Sequence, residues 1–134
     1  MAHSVRDYMS SPVITVTPED SVSHAVTIMR RRNIHSVVIE PETPGGPHGI
    51  VTSTDIRDKI AGRNRDPRAV KVREIMTSPI VTARPDWTIQ ECSIKMQALR
   101  VHHLPVANDA GELIGMISDT DIFVAVEEAG WSAG

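Results

Sequence analysis

Val5-Arg-Asp-Tyr-Met-Ser-Ser-Pro-Val-Ile-Thr15 returns as Val72-Arg-Glu-Ile-Met-Thr-Ser-Pro-Ile-Val-Thr82, an offset of 67 from Val5 to Val72. A repeat at this spacing means that one structural unit is used twice. The same offset carries Pro18 to Pro85, Met29 to Met96 and His35 to His102. A second pair, Gly49-Ile-Val-Thr-Ser-Thr-Asp55-Ile and Gly115-Met-Ile-Ser-Asp-Thr-Asp121-Ile, lies at an offset of 66 from Gly49 to Gly115, so the two connecting loops differ by one residue.

Within the first copy, residues 13–16 are short and β-branched, which predicts a strand. Val22, Ala25, Val26 and Met29 then fall at i, i+3, i+4 and i+7, one apolar stripe of a helix that Asp20 or Ser21 caps. Residues 36–40 and 49–53 read as a strand pair joined by the turn-rich segment 41–48, followed by a helix over 54–60. The second copy repeats the order, with Asn108-Asp-Ala-Gly111 as a tighter turn. The fold class is therefore α+β, made of two β-α-β-β-α repeats, each opened by a short helix. Each has too little core to stand alone, so the two are expected to pack as one pseudo-symmetric disc. The expected boundaries are 4–61 for the first repeat, 62–71 for a linker, 72–127 for the second repeat and 128–134 for a C-terminal tail.

Composition narrows the function classes. The chain has 134 residues, 40% hydrophobic and 23% charged, the profile of an ordinary globular protein. No stretch approaches the run of about 18 apolar residues that a membrane helix needs. The first residues lack the basic and apolar regions of a signal peptide, and Cys92 is the only cysteine, so a reducing, cytoplasmic setting is expected. A net charge of −3 argues against a protein devoted to covering nucleic acid. Residues 57–73 nevertheless hold seven basic side chains against Asp58 and Asp66, read either as a solvated linker or as a positive rim near an anion.

The ordered pair of V-R-[DE]-x-M and G-h-h-[ST]-x-[ST]-D (h apolar), each present twice, resembles the cystathionine-β-synthase (CBS) domain. Val101-His-His-Leu-Pro-Val106 is similar to the family's second strand, and Ile34-His-Ser-Val-Val-Ile39 departs from it by Val38 in place of Pro105. The likeness spans roughly residues 4–126. It implies a regulatory module that binds AMP, ADP, ATP or S-adenosylmethionine and transmits ligand state to a partner protein.

Thr52, Thr54 and Asp55, like Ser118, Thr120 and Asp121, stand where a strand gives way to a helix, a place whose free N–H groups attract a phosphate. A carboxylate there has two acceptor oxygens for the two hydroxyls of a ribose. Thr54 or Thr120 acting as a plain N-cap, with an acid in the first turn, is the alternative. It leaves unexplained the hydroxyl three residues before each acid. The resemblance assigns these positions to phosphate and ribose, and places adenine in clefts that mix the repeats. One cleft combines Asp121, Ser118, Thr120 and Met116 with Val13, Ile14 and His35. The other combines Asp55, Thr52, Thr54 and Ile50 with Ile80, Val81 and His102. By the same resemblance His35, Ser36, His102 and His103 reach phosphates.

No metal site is expected, because His102 and His103 are strand neighbours on opposite faces. No catalytic role is expected either: P-loop, GxGxxG and nucleophile-elbow patterns are missing from the sequence. The competing reading is a non-catalytic protein or nucleic-acid interaction module, although Tyr8, Trp87, Phe123 and Trp131 are too few aromatics for a stacking platform. The family's habit of pairing modules through helices implies a homodimer, with Met29, Met96 and Leu99 as core or interface.

Overall fold

A computed structural model describes residues 3–128; Trp131 and the tail beyond Glu128 lie outside them. Its order is α1 (Val5–Tyr8), β1 (Thr15–Val16), α2 (Val22–Arg32), β2 (Ser36–Ile39), β3 (Gly49–Thr52), α3 (Ser53–Lys59), α4 (Ile89–Leu99), β4 (His103–Ala107), β5 (Leu113–Ser118) and α5 (Asp119–Glu128), with 3-10 turns at Ala61–Arg63 and Val72–Glu74. The class is α+β, as the periodicities predict. The chain forms two compact units: residues 14–80, and the segment ending at Val13 together with the chain from Val81 on.

In the 14–80 unit a three-stranded sheet has the order β1-β2-β3, with β1 parallel and β3 antiparallel to β2. Its central strand is buried along its whole length, which explains the unbroken Val37-Val38-Ile39 run. The predicted stripe of α2 supplies Val22, Ala25 and Met29 to the core beside Val37, Ile39 and Val51. Ser21 is the cap, its hydroxyl accepting from His24 N–H at 3.0 Å. Asp20 instead closes the preceding turn by accepting from Thr17 N–H at 2.8 Å.

The stretch read as a linker is stitched into this unit. Val22 N–H donates to Val70 O at 2.8 Å and Ser23 N–H to Pro67 O at 2.9 Å, while Val70 is buried. Among the described residues, all but Arg63 of the seven basic side chains in 57–73 hold an ion pair, including Arg57 with Asp58, Arg68 with Asp66, and Lys71 and Arg73 with Glu19. The stretch is a neutralised surface more than a positive rim.

In the other unit β4 and β5 pair antiparallel. The counterpart of β1 shrinks to one parallel bridge between Ala83 and Val106, since Ala83 has a weaker strand preference than Val16, its equivalent. Cys92, Met96, Leu104, Val106 and Ile117 form its core. Burial pushes the Cys92 thiol up to about 11. The turn expected at 108–111 is present: the Asn108 side chain accepts from the N–H groups of Ala110 and Glu112, and Gly111 adopts a φ of 82°.

The opening motifs are exchanged between the units. Val5 N–H donates to Trp87 O and Arg6 N–H to Pro85 O, placing α1 with the second repeat's chain, whereas Val72 N–H donates to Asp20 O, in the unit built from the first. Both valines are fully buried, each contributing about 1.5–3 kcal/mol. The acid of each motif turns back onto backbone: Asp7 accepts from Ser4 N–H at 3.1 Å and Glu74 from Lys71 N–H at 2.7 Å. These bonds, more than any ion pair, hold both carboxyls below the usual carboxylate range. Further on, Ser10 exchanges both main-chain bonds with Met116, and Thr77 does so with Ile50.

Gly115 is required at the first of these pairings, because a Cβ there would lie 2.6 Å from Ser10 O and 2.9 Å from Met9 Sδ. Gly115→Ala should therefore cost about 1–3 kcal/mol in urea unfolding; an unchanged midpoint would mean that the strands have room to part. Cys92 in the folded chain should resist a thiol reagent and label only on unfolding.

Candidate functional site

Both strand-to-helix junctions fold as capping boxes. The Thr52 hydroxyl accepts from Asp55 N–H at 3.3 Å, and Asp55 Oδ2 accepts from Thr52 N–H at 2.9 Å and from its hydroxyl at 3.2 Å. At the second junction Asp121 N–H donates to the Ser118 hydroxyl at 3.4 Å, while Asp121 Oδ2 accepts from Ser118 N–H at 2.8 Å and from that hydroxyl at 3.1 Å. The hydroxyl three residues before each acid thus has a structural reason: it is one half of a reciprocal cap. The first cap is Thr52, where the capping alternative had named Thr54, and Thr120 lies inside the first turn of α5.

The two carboxylates differ in what remains to them. Asp55 Oδ1 lies 3.1 Å from Lys59 Nζ, one turn along α3, and the same ammonium donates to Ile75 O at 2.8 Å. Ala125 stands at the position equivalent to Lys59. Asp121 Oδ1 therefore keeps an open acceptor among the described residues, on a half-buried side chain. Burial raises the Asp121 carboxyl above its ordinary value, opposed by the bonds from Ser118.

The other expected residues divide between the units. Ile14, His35, Ser36, Ile50 and Ile80 belong with Asp55; Val13, Val81, His102, His103 and Met116 belong with Asp121. Of each expected cleft, only Ile14 and His35, or Val81 and His102, come from the opposite unit. Ile50 and Met116 are the strand residues paired with Thr77 and Ser10. Ser36 is buried, Val81 exposed.

His35 lines a groove of about 310 Å³ between α2 and α3, with Met29, Arg30, Asn33 and Ile56 among its walls. His102 lines the equivalent groove of about 520 Å³ between α4 and α5, beside Arg100, Asp119 and Phe123. There His102 Nδ1 lies 2.6 Å from Asp119 Oδ2. Ser53 replaces Asp119 in the first copy, so His35 lacks that carboxylate. Sequence reasoning missed the grooves; the repeat offsets carry Arg30 to Gln97 and Ile56 to Ile122, which line the second groove, and would have shown their equivalence.

The family model for the CBS domain matches residues 5–62 and 72–128, and the chain belongs to that family as a tandem pair. An uncharacterized protein of Methanopyrus kandleri is 33% identical over 119 residues, covering 89% of this chain and 60% of its own. The CBS domain-containing protein YhcV of Bacillus subtilis is 26% identical, covering 90% of this chain and 84% of its own. The chain spans well under two thirds of several relatives; it matches 25% of an inosine-5'-monophosphate dehydrogenase from Korarchaeum cryptofilum. Among solved structures, the CBS domain pair of protein MJ0100, in complex with 5-methylthioadenosine and S-adenosyl-L-methionine, superposes with a TM-score of 0.82 at 28% identity, covering 96% of this chain and 99% of that one. The hexameric CBS-CP12 protein of bloom-forming cyanobacteria gives 0.89 at 29%, covering 97% and 75%.

The cap assignment is checked by two alanine variants. Thr52→Ala should lose about 1 kcal/mol of unfolding free energy, and Thr54→Ala less than about 0.5 kcal/mol; the reverse order would return the cap to Thr54.

Proposed function

We propose that this chain is a regulatory module that binds an adenosine-containing ligand, AMP, ADP, ATP or S-adenosylmethionine, and transmits its presence to a partner protein without catalysing a reaction. The open Oδ1 of Asp121 carries the reading. It lies in the first turn of a helix, where the dipole and free N–H groups favour phosphate, and it offers an acceptor to ribose hydroxyls. The adenosine-type ligands in the related MJ0100 pair support the chemical class. Regulation requires that the ligand bind two arrangements of the module with different affinity.

The junctions are not equal in this proposal. Lys59 already occupies Asp55 Oδ1 and neutralises it, so ribose favours the Asp121 site. His102 and His103, or His35 and Ser36, serve as phosphate partners. The module works in the cytoplasm as a homodimer through its helices, where Ile94, Leu99, Phe123 and Val126 are exposed. No helix among the described residues is long and apolar enough to cross a membrane.

Isothermal titration with a panel of adenine nucleotides and S-adenosylmethionine tests the site. Asp121→Ala should abolish the heat at the tightest site and Asp55→Ala should reduce affinity severalfold at most; indistinguishable isotherms for the three proteins would remove both sites. Acidification should weaken binding as Asp121 takes up a proton and loses a charged acceptor, beginning at a higher pH than the ordinary aspartate value of 3.8 because burial raises this carboxyl.

A further inference from the structure

Lys59 and Ala125 stand at equivalent positions, one turn after the two junction aspartates, and their chemistry differs. The Lys59 ammonium lies 3.1 Å from Asp55 Oδ1 and donates to Ile75 O at 2.8 Å, so two acceptors of the same unit hold it. Asp55 comes first and Lys59 at i+4, the order of charges that suits a helix best. The side chains are 14% and 33% exposed, for Asp55 and Lys59 in turn, so salt screens this pair less than an open surface pair. Ala125 is fully buried and has no donor to offer Asp121 Oδ1.

At the first junction a ribose hydroxyl and the ammonium compete for one oxygen. The exchange would put a neutral donor in place of a charged one. It would also take a donor from Ile75 O, on a residue that is buried. The Asp55 carboxylate is thus satisfied before any ligand arrives. We propose that Lys59 is a built-in stand-in for ligand, a latch that closes the first junction and confines adenosine binding to the Asp121 junction. The latch rests on the reading of both aspartates as ribose acceptors and adds the residue that decides between them. The rest of the first junction matches the second: Thr52 caps as Ser118 does, and Oδ2 of each aspartate makes the same pair of bonds. Removing the ammonium therefore uncovers a second site.

Isothermal titration of the full chain with AMP, and separately with S-adenosylmethionine, counts the sites. The parent should bind one equivalent of at least one probe. Lys59→Met, which keeps an unbranched stem and loses the ammonium, should bind two, the first junction gaining about tenfold in affinity for each hydroxyl bond recovered. Adding Asp55→Ala to Lys59→Met should return the count to one, and Lys59→Arg, which keeps a cation, should stay at one. One equivalent in the parent and in Lys59→Met alike overturns the latch, as do two in the parent or two in Lys59→Arg; each of these leaves the Asp121 site standing. One equivalent in Lys59→Met where the parent binds none upholds the latch and overturns the Asp121 site, and no binding by either protein overturns both. Where circular dichroism shows Lys59→Met to be unfolded, Lys59→Ala, with the residue found at the equivalent position, carries the same expectation.

Discussion

Two reciprocal main-chain pairs, Ser10 with Met116 and Thr77 with Ile50, set the positions on which the rest of the structure depends. Each ties the segment after an opening motif to the last strand of a unit, just before that strand enters the helix bearing Asp121 or Asp55. At Gly115 the approach is close enough to require glycine, because a Cβ would lie against Ser10 O, whereas at Gly49 a Cβ would meet only the Met76 side chain, which can move. In the second copy the glycine of the second repeated motif therefore belongs to backbone packing. Its aspartate belongs to the junction, where a carboxylate folded onto an N–H three residues earlier fixes how the chain turns from extended to helical.

That carboxylate device recurs at Asp7, Glu74, Glu91 and Asp20 as well as at Asp55 and Asp121. Its repetition explains why a hydroxyl and an acid at fixed spacing do not by themselves announce a ligand. What separates Asp121 from Asp55, its equivalent, is its second oxygen. Serving as a cap uses Oδ2, and only the replacement of Lys59 by Ala125 leaves Oδ1 unclaimed in a half-buried place. Structural and binding roles can coexist in one side chain because a carboxylate has two acceptor atoms.

Much of the fold was legible in the sequence. The repeat gave the number of units, the stripe of Val22, Ala25 and Met29 gave α2, and the Asn108–Gly111 pattern gave its turn. The ownership of the opening motifs was not legible, because counting along the chain assigns Val5 to the repeat that follows it, whereas its hydrogen bonds go to Trp87 and the chain around it. The capping alternative named the wrong residue because two hydroxyls flank each junction, Thr52 and Thr54 or Ser118 and Thr120, and only the backbone shows which one lies outside the helix. The basic stretch misled for a similar reason. Cations counted in sequence took no account of Glu19, which lies far from Lys71 and Arg73 along the chain but within ion-pair distance of both in the fold.

The exchange of opening segments bears on the kind of object that was duplicated. A chain carrying one repeat alone would present the buried valine of its own motif with no seat in its own body, and would find that seat only on another molecule. The tandem protein is in this respect a segment-swapped dimer closed within a single chain. The heritable repeat and the folding unit are different objects, so severing the chain between the sequence repeats would leave two fragments, each holding a piece of the other's core.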